Sequence, residues 1–218
     1  NNDVVSNGDP RAIKGDTITI ALSGVFPPTL RGFGKESRSQ LLSIIEYASY
    51  ESLLIFNPES NKYEPELATH WKIGTDSMTF FFRIDPRARW ADGREIIAED
   101  VVAAYKLFTD DGHGDPNTAS YYKELFHMPE VVSKNIVKIK SKKIDWRSFR
   151  AAAGIYPMPS YYLNKIDGAG FIEKYNFSFL PGSGAYVYDQ ENSKKGNEGY
   201  IILKRRNDYW AKDHKRNM

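Results

Sequence analysis

His70-Trp71-Lys72-Ile73-Gly74-Thr75-Asp76-Ser77-Met78-Thr79-Phe80-Phe81-Phe82-Arg83-Ile84 decides how the rest of this chain is read. Two runs of aromatic and β-branched residues flank a polar break, the pattern of an antiparallel hairpin turning at residues 75–77. Toward the C-terminus, Asp92-Gly93 signals a tight turn. A helix then fits residues 98–108, with Val101, Ala104, Tyr105 and Phe108 on one face. Glu99 and Asp100 fall in its first turn, where negative charge suits the helix dipole. Toward the N-terminus, Leu54-Ile55-Phe56 runs into a turn at Asn57-Pro58. A helix fits residues 37 to about 53, with Ser37 as N-cap and a stripe of Leu41, Ile44, Ile45 and Ala48. Thr17-Ile18-Thr19-Ile20-Ala21-Leu22 alternates like a strand with one buried face, and Pro27-Pro28 stops any continuation.

Beyond the second helix, Asp110-Asp111-Gly112-His113-Gly114-Asp115-Pro116-Asn117 is a loop by composition. Val131-Val132 and Ile136-Val137-Lys138-Ile139-Lys140 form a second hairpin turning near Lys134-Asn135. Asp145 caps a short helix carrying Trp146, Phe149 and Ala153. Helical pieces follow around residues 160–164 and 169–175. A last strand pair spans residues 185–189 and 200–205. Strands and helices are interspersed without a strict β-α-β rhythm, so the fold class is mixed α/β with α+β character. Trp71 and Trp90, beside strand patterns, are expected to be buried.

The chain has 218 residues, 41% apolar and 27% charged. Those are ordinary proportions for a globular protein of one large or two small domains. Apolar runs are only a few residues long, well short of the roughly 20 that a membrane-spanning helix needs. The net charge is +2. The basic tail from Lys204 to Met218 reads as surface, and no concentrated face suits nucleic acid. There is no cysteine, which excludes disulfides, thiolate metal sites and cysteine nucleophiles. Residues 1–10 are polar and lack the basic start and apolar core of a secretion signal.

No catalytic motif stands out. Pro181-Gly182-Ser183-Gly184 lacks the spacing of a nucleophile elbow. No phosphate-binding loop or dinucleotide fingerprint occurs. His70, His113, His127 and His214 are not paired at helical spacing, so a histidine metal site would need tertiary convergence. The carboxylates at 110, 111 and 115 miss a calcium-loop register. Glu99 and Asp100 diverge on their helix and serve better as helix-start charge than as an acid–base pair. The residues assign no catalytic group, metal or cofactor.

Four segments occur in a telling order. They are Pro65-Glu66-Leu67-Ala68-Thr69-His70-Trp71; Phe80-Phe81-Phe82-Arg83-Ile84 with Arg89-Trp90-Ala91-Asp92-Gly93; Ile97-Ala98-Glu99-Asp100-Val101; and Gly182-Ser183-Gly184-Ala185-Tyr186 leading to Leu203-Lys204-Arg205-Arg206-Asn207-Asp208-Tyr209-Trp210. Together they cover about residues 45–210. The chain resembles the extracellular solute-binding proteins of peptide-type ABC importers, the oligopeptide, dipeptide and nickel-binding family. Ile97 stands where the family has a capping Thr, so that cap must come from elsewhere. Ala185 stands where the family has Pro.

The resemblance implies a periplasmic-binding-protein type II lobe with an inserted small α/β domain. Residues 1–45 and 179–218 would be discontinuous parts of the first lobe, and residues 46–178 the insertion. The opposing ligand lobe would follow Met218, making this chain an N-terminal portion. It further implies a non-enzymatic protein, periplasmic or extracellular, attached to the membrane only through a lipid anchor or its permease. Its partners would be a peptide or similar small solute and an ABC importer permease; no cofactor is implied.

Two places on this half match ligand-contacting stretches of the family. In the loop Arg31-Gly32-Phe33-Gly34-Lys35, Gly32, Phe33, Gly34 and Lys35 would run along a peptide and offer main-chain hydrogen bonds. In Asp115-Pro116-Asn117-Thr118-Ala119-Ser120-Tyr121-Tyr122, Tyr122 aligns with a tyrosine that reaches the cleft, with Tyr121 beside it. A mobile surface loop and ordinary packing explain the same residues equally well. Phe26 and Phe33 are weaker candidates as apolar walls. A carboxylate-dependent extracytoplasmic hydrolase, and a sensory or structural module that keeps the binding fold, remain alternatives.

Overall fold

The computed structural model describes Gly15, residues 17–21 and residues 25–212. Leu22, the end of the expected first strand, lies outside that set, as do residues 213–218 of the basic tail. Six α-helices and eight strands are described: α1 (Gln40–Ser49), β1 (Leu54–Asn57), β2 (Lys62–Pro65), β3 (Ala68–Ile73), β4 (Thr79–Ile84), α2 (Ala98–Phe108), α3 (Pro116–Leu125), β5 (Glu130–Ser133), β6 (Ile136–Lys140), α4 (Trp146–Ala153), α5 (Ser160–Leu163), α6 (Gly168–Lys174), β7 (Tyr186–Tyr188) and β8 (Leu203–Arg205). The fold is mixed α/β, as the sequence implies.

The hairpin of residues 70–84 supplies the edge strand β3 and the central strand β4 of an antiparallel sheet ordered β3-β4-β6-β5. Phe82 pairs with Trp71 on one side and Val137 on the other. Alternation along β4 sends Phe80, Phe82 and Ile84 inward, all at most 2% exposed. They meet Val137 and Ile139 of β6 and the α2 face of Val101, Ala104, Tyr105 and Phe108 in one core. Each such side chain contributes about 1.5–3 kcal/mol by leaving water. A second, smaller cluster joins Leu30, Leu42 and Ile45 to Phe26, Phe177, Phe179, Tyr188 and Leu203.

Several elements differ from their sequence readings. Thr17–Ala21 forms no strand, and Ile18 is 89% exposed because no neighbouring strand lies against it among the described residues. Helix α1 starts later than expected: Ser39 is the N-cap, accepting from Leu42 N at 3.2 Å, while Ser37 donates to Gly34 O at 2.8 Å. Its buried side is Leu42, Ile45 and Ser49, rotated about one residue from the expected stripe. β2 was not foreseen, and α3 begins inside the stretch read as a loop. Asp115 caps α3 by accepting from Asn117 N and Thr118 N, and Pro116 occupies its first turn. Trp71 is only half-buried, since β3 is an edge strand, whereas Trp90 is fully buried.

The missing cap at Ile97 is supplied by Asp100. Its carboxylate accepts from Ile97 N (3.0 Å), Trp90 Nε1 (3.1 Å) and Ser160 N (2.8 Å). Ala98 N finds Lys134 O at 2.9 Å. Asp100 is thus a buried acceptor tying three segments, a stronger role than helix-start charge.

The fourth sequence segment fastens the chain ends. Arg206, 7% exposed, donates from Nη1 to Gly182 O, Ser183 O and Gly184 O and from Nη2 to Trp90 O, at 3.2–3.5 Å. Ser183 Oγ accepts from Glu51 N at 2.8 Å. The Glu51 carboxylate accepts from Tyr209 OH and from Trp210 Nε1. Gly182 and Gly184 are needed for contact, not for left-handed backbone. A Cβ on Gly182 would lie 2.1 Å from Ser49 O, and one on Gly184 2.5 Å from Ala48 O. These neighbours are backbone and cannot swing away. Gly182→Ala should therefore destabilise the chain by about 3 kcal/mol or more, at the upper end for overpacking; a urea midpoint equal to wild type would contradict this packing.

Candidate functional site

The loop at residues 30–35 is held from both sides. Leu30 N and Thr29 Oγ1 donate to Asn176 O at 2.8 and 2.9 Å. Arg31 folds over its own loop, donating to Phe33 O (3.0 Å) and Lys35 O (2.9 Å). Gly34 O accepts from Ser37 Oγ at 2.8 Å, and Lys35 N donates to His113 O at 2.8 Å. Gly34 has a left-handed φ of 87°, and a Cβ there would press on His113 O at 2.9 Å. The carbonyls of Phe33, Gly34 and Lys35 are thus occupied by the protein itself. Among the described residues, the backbone N–H and C=O of Gly32 have no hydrogen-bond partner.

The other candidates separate. Phe33 is 6% exposed and stacks on Phe171 at 4.9 Å, meeting Phe108 edge-on at 5.0 Å. That is a core position, not a solvent-facing wall. Lys35 is exposed, its stem lying over Gly114. Tyr121 is 41% exposed on α3. Tyr122 is half-buried, stacked on Phe108 at 5.2 Å. The acidic loop is structural: Asp110 accepts from Gly112 N and Gly168 N, Asp111 pairs with Lys123, and Asp115 caps α3. No group of three or more potential metal ligands occurs among the described residues.

One carboxylate not singled out from sequence lies beside Gly32. The carboxyl of Glu46, on α1, sits 2.7 Å from where a Gly32 Cβ would be. Burial pushes it up to about 7, partly offset by the nearby Tyr156 hydroxyl. Burial likewise pushes up the hydroxyls of Tyr50, Tyr122 and Tyr156, and the nearby Glu46 charge adds to each. The Tyr50 hydroxyl donates to Leu180 O at 2.8 Å. Gly32, Glu46, Tyr50, Tyr156 and Tyr175 border a cavity of about 30 Å³, with Arg31 on its wall. A wider groove of about 480 Å³ shares Tyr175 and Leu180 and continues past Tyr162, Tyr186 and Tyr188. Gly32 and Phe33 thus line this cavity with Glu46, Tyr122 feels the Glu46 charge from outside the lining, and Lys35 belongs to neither group.

Residues 62–217 match the family described as bacterial extracellular solute-binding proteins, family 5, in its middle region. The chain belongs to this family. This family 5 chain is 29% identical over 137 residues to a probable ABC transporter-binding protein of Deinococcus radiodurans, covering 61% of the chain and 22% of that protein. It is 22% identical over 213 residues to the probable peptide-binding protein YejA of Agrobacterium fabrum, covering 93% and 32%. Its fold is similar to that of the oligopeptide-binding protein AppA of Bacillus subtilis, solved with a nonapeptide (TM-score 0.70, 22% identity, 88% of this chain and 36% of that one). The chain spans about a fifth to a third of the curated relatives it matches.

The Glu46 carboxyl makes a stability signature. In the unfolded chain it ionises near 4.5, in the fold near 7. Its contribution is full below about pH 4.5 and is lost as pH rises through 7. Relative to Glu46→Gln, wild type should lose about 1–2 kcal/mol between pH 4.5 and 7.5, allowing for partial solvent screening. Urea unfolding of both proteins across that range checks this; parallel curves would mean an ordinary, solvated carboxylate.

Proposed function

We propose that this chain is part of a binding protein that captures a peptide or similar small solute outside the membrane and delivers it to an ABC importer permease. Family membership supports the solute-binding role. The protein acts without catalysis: lobes close on the solute, coupling domain motion to ligand burial. Residues 1–45 and 179–218 belong to one lobe, and residues 46–178 are an insertion in it. The packing of Leu30, Leu42 and Ile45 against Phe179, Tyr188, Ile201 and Leu203 supports joining these two segments. The protein works in the periplasm or at the cell exterior.

The observation that carries the reading is the unpaired main chain of Gly32 beside Glu46. An open N–H and C=O serve any peptide backbone irrespective of its side chains. Tyr122, coupled by charge to Glu46, and Tyr121, with its exposed ring, are the further solute contacts of this reading. Gly34, Phe33 and Lys35 shape the loop more than they touch the solute. Peptide is the favoured solute because relatives are named for peptides. The range of the fold is wider: similar structures hold mannohexaose and Fe(III)-EDTA.

Mass spectrometry of what co-purifies with the protein, expressed at its full genomic length, tests the reading directly. Recovery of peptides supports it, and recovery of only sugars or metal chelates overturns the peptide assignment. Tyr122→Phe keeps the ring on Phe108 and removes one hydroxyl, so peptide affinity by calorimetry should fall about fivefold, the worth of one hydrogen bond. Thermal stability should stay near wild type. Unchanged affinity would remove Tyr122 from the site.

A further inference from the structure

We propose that the pocket formed by Glu46, Tyr50, Tyr156 and Tyr175 is a receptor for a compact cation of the primary-ammonium class, such as the head of a lysine side chain. The inference deepens the solute-binding reading and rests on it for the physiological ligand, while the pocket chemistry can be tested by itself.

The cavity is small, about 30 Å³. That is room for about one group the size of water, so it takes the tip of a ligand and not its body. Its polar lining is rich in oxygen. Glu46 offers a carboxyl beside the Tyr156 hydroxyl. The Tyr50 hydroxyl has its proton committed to Leu180 O and keeps lone pairs to accept with. Tyr175 is 6% exposed, and its hydroxyl has no hydrogen-bond partner. An unsatisfied buried hydroxyl on a cavity wall is a costly arrangement unless something occupies the cavity. The tyrosine rings add faces that attract a cation.

The charged and titratable groups around Glu46 can be named element by element. Tyr50 lies on α1 itself, Tyr122 on α3, Tyr156 after α4, and Tyr175 at the end of α6. Arg31 borders the same cavity, but its terminal nitrogens are turned to Phe33 O and Lys35 O, and its charge couples to Glu36. Glu46 has no ion-pair partner among the described residues. A buried carboxyl beside tyrosine hydroxyls, with no ion-pair partner among the described residues, is about half protonated at pH 7. An arriving ammonium replaces that proton, and the carboxylate it leaves is then paired. Binding therefore releases a proton. Affinity should rise about tenfold per pH unit below 7 and level off above it.

Carbon-13 NMR of the glutamate carboxyls of the 218-residue chain, titrated with methylammonium, tests this. Methanol is the neutral control of similar size. Methylammonium should shift the Glu46 resonance saturably and lower its midpoint by about one pH unit, and methanol should do neither. Glu46→Gln should abolish the methylammonium-induced shifts at neighbouring Tyr signals. Gly32→Ala should weaken binding at least about fivefold without unfolding, because its Cβ displaces only the flexible end of Glu46. A methylammonium effect no larger than that of methanol, or one that survives Glu46→Gln, overturns the pocket. In the full-length protein, Ala-Lys-Ala should bind at least tenfold better than Ala-norleucine-Ala, and Glu46→Gln should erase the gap. If methylammonium binds the chain but neither tripeptide binds the full protein, the solute reading fails and the pocket stands. If both tripeptides bind equally and methylammonium is inert, the pocket fails and the solute reading stands.

Discussion

The guanidinium of Arg206 is the fastening on which the rest of the structure depends. It gathers the carbonyls of three consecutive residues, Gly182 to Gly184, and that of Trp90, more than ninety residues earlier. Buried main-chain oxygens need donors, and here one planar side chain serves four of them. The strip so held has glycine at both ends and lies tight against the last turn of α1. Ser49 O accepts a hydrogen bond from Gly184 N instead of extending the helix. The end of α1 is therefore fixed from outside. That stop sets the positions of Tyr50 and of Glu46, one helical turn back, and hence the wall of the pocket.

Much of the scaffold was legible because local pattern and tertiary burial agree. The α2 limits follow from a four-residue apolar face, and the β4 aromatics alternate as a half-buried strand must. The discrepancies have identifiable causes. Ser37 looked like a cap, but its hydroxyl is drawn to Gly34 O, a contact within a turn that periodicity does not register. Helix α3 was obscured by a run of Asp, Gly, Asn and Pro, although Asp115-Pro116 is itself a start signal. β2 is only four residues long and carries Lys, Glu and Pro. Thr17–Ala21 has the alternation of a strand but no neighbour among the described residues, and alternation alone makes no sheet.

The candidate site was harder to read than the scaffold. Gly32 and Tyr122 were visible as motif positions; Glu46 was not. On a helical wheel it borders the apolar stripe and looks like an ordinary surface acid. What buries it is Gly32 from one direction and Tyr156 from another, about 110 residues downstream. The remaining conspicuous acids have structural work. Asp100, Asp110, Asp115 and Asp145 each satisfy backbone N–H groups at a turn or helix start. Subtracting these leaves Glu46 without such a duty, a distinction invisible to composition.

The two extremes of tryptophan burial have an optical corollary. Trp90 is sealed from solvent and bonded to Asp100, whereas Trp146, at the head of α4, is 84% exposed. An indole in water emits at longer wavelength than one in an apolar interior and is open to collisional quenchers. The intrinsic fluorescence of this protein is thus a composite whose red edge belongs to Trp146. Iodide will extinguish that edge first, leaving the emission of Trp90 and the half-buried Trp71 and Trp210, whose bluest part reports on whether the core around Asp100 remains intact.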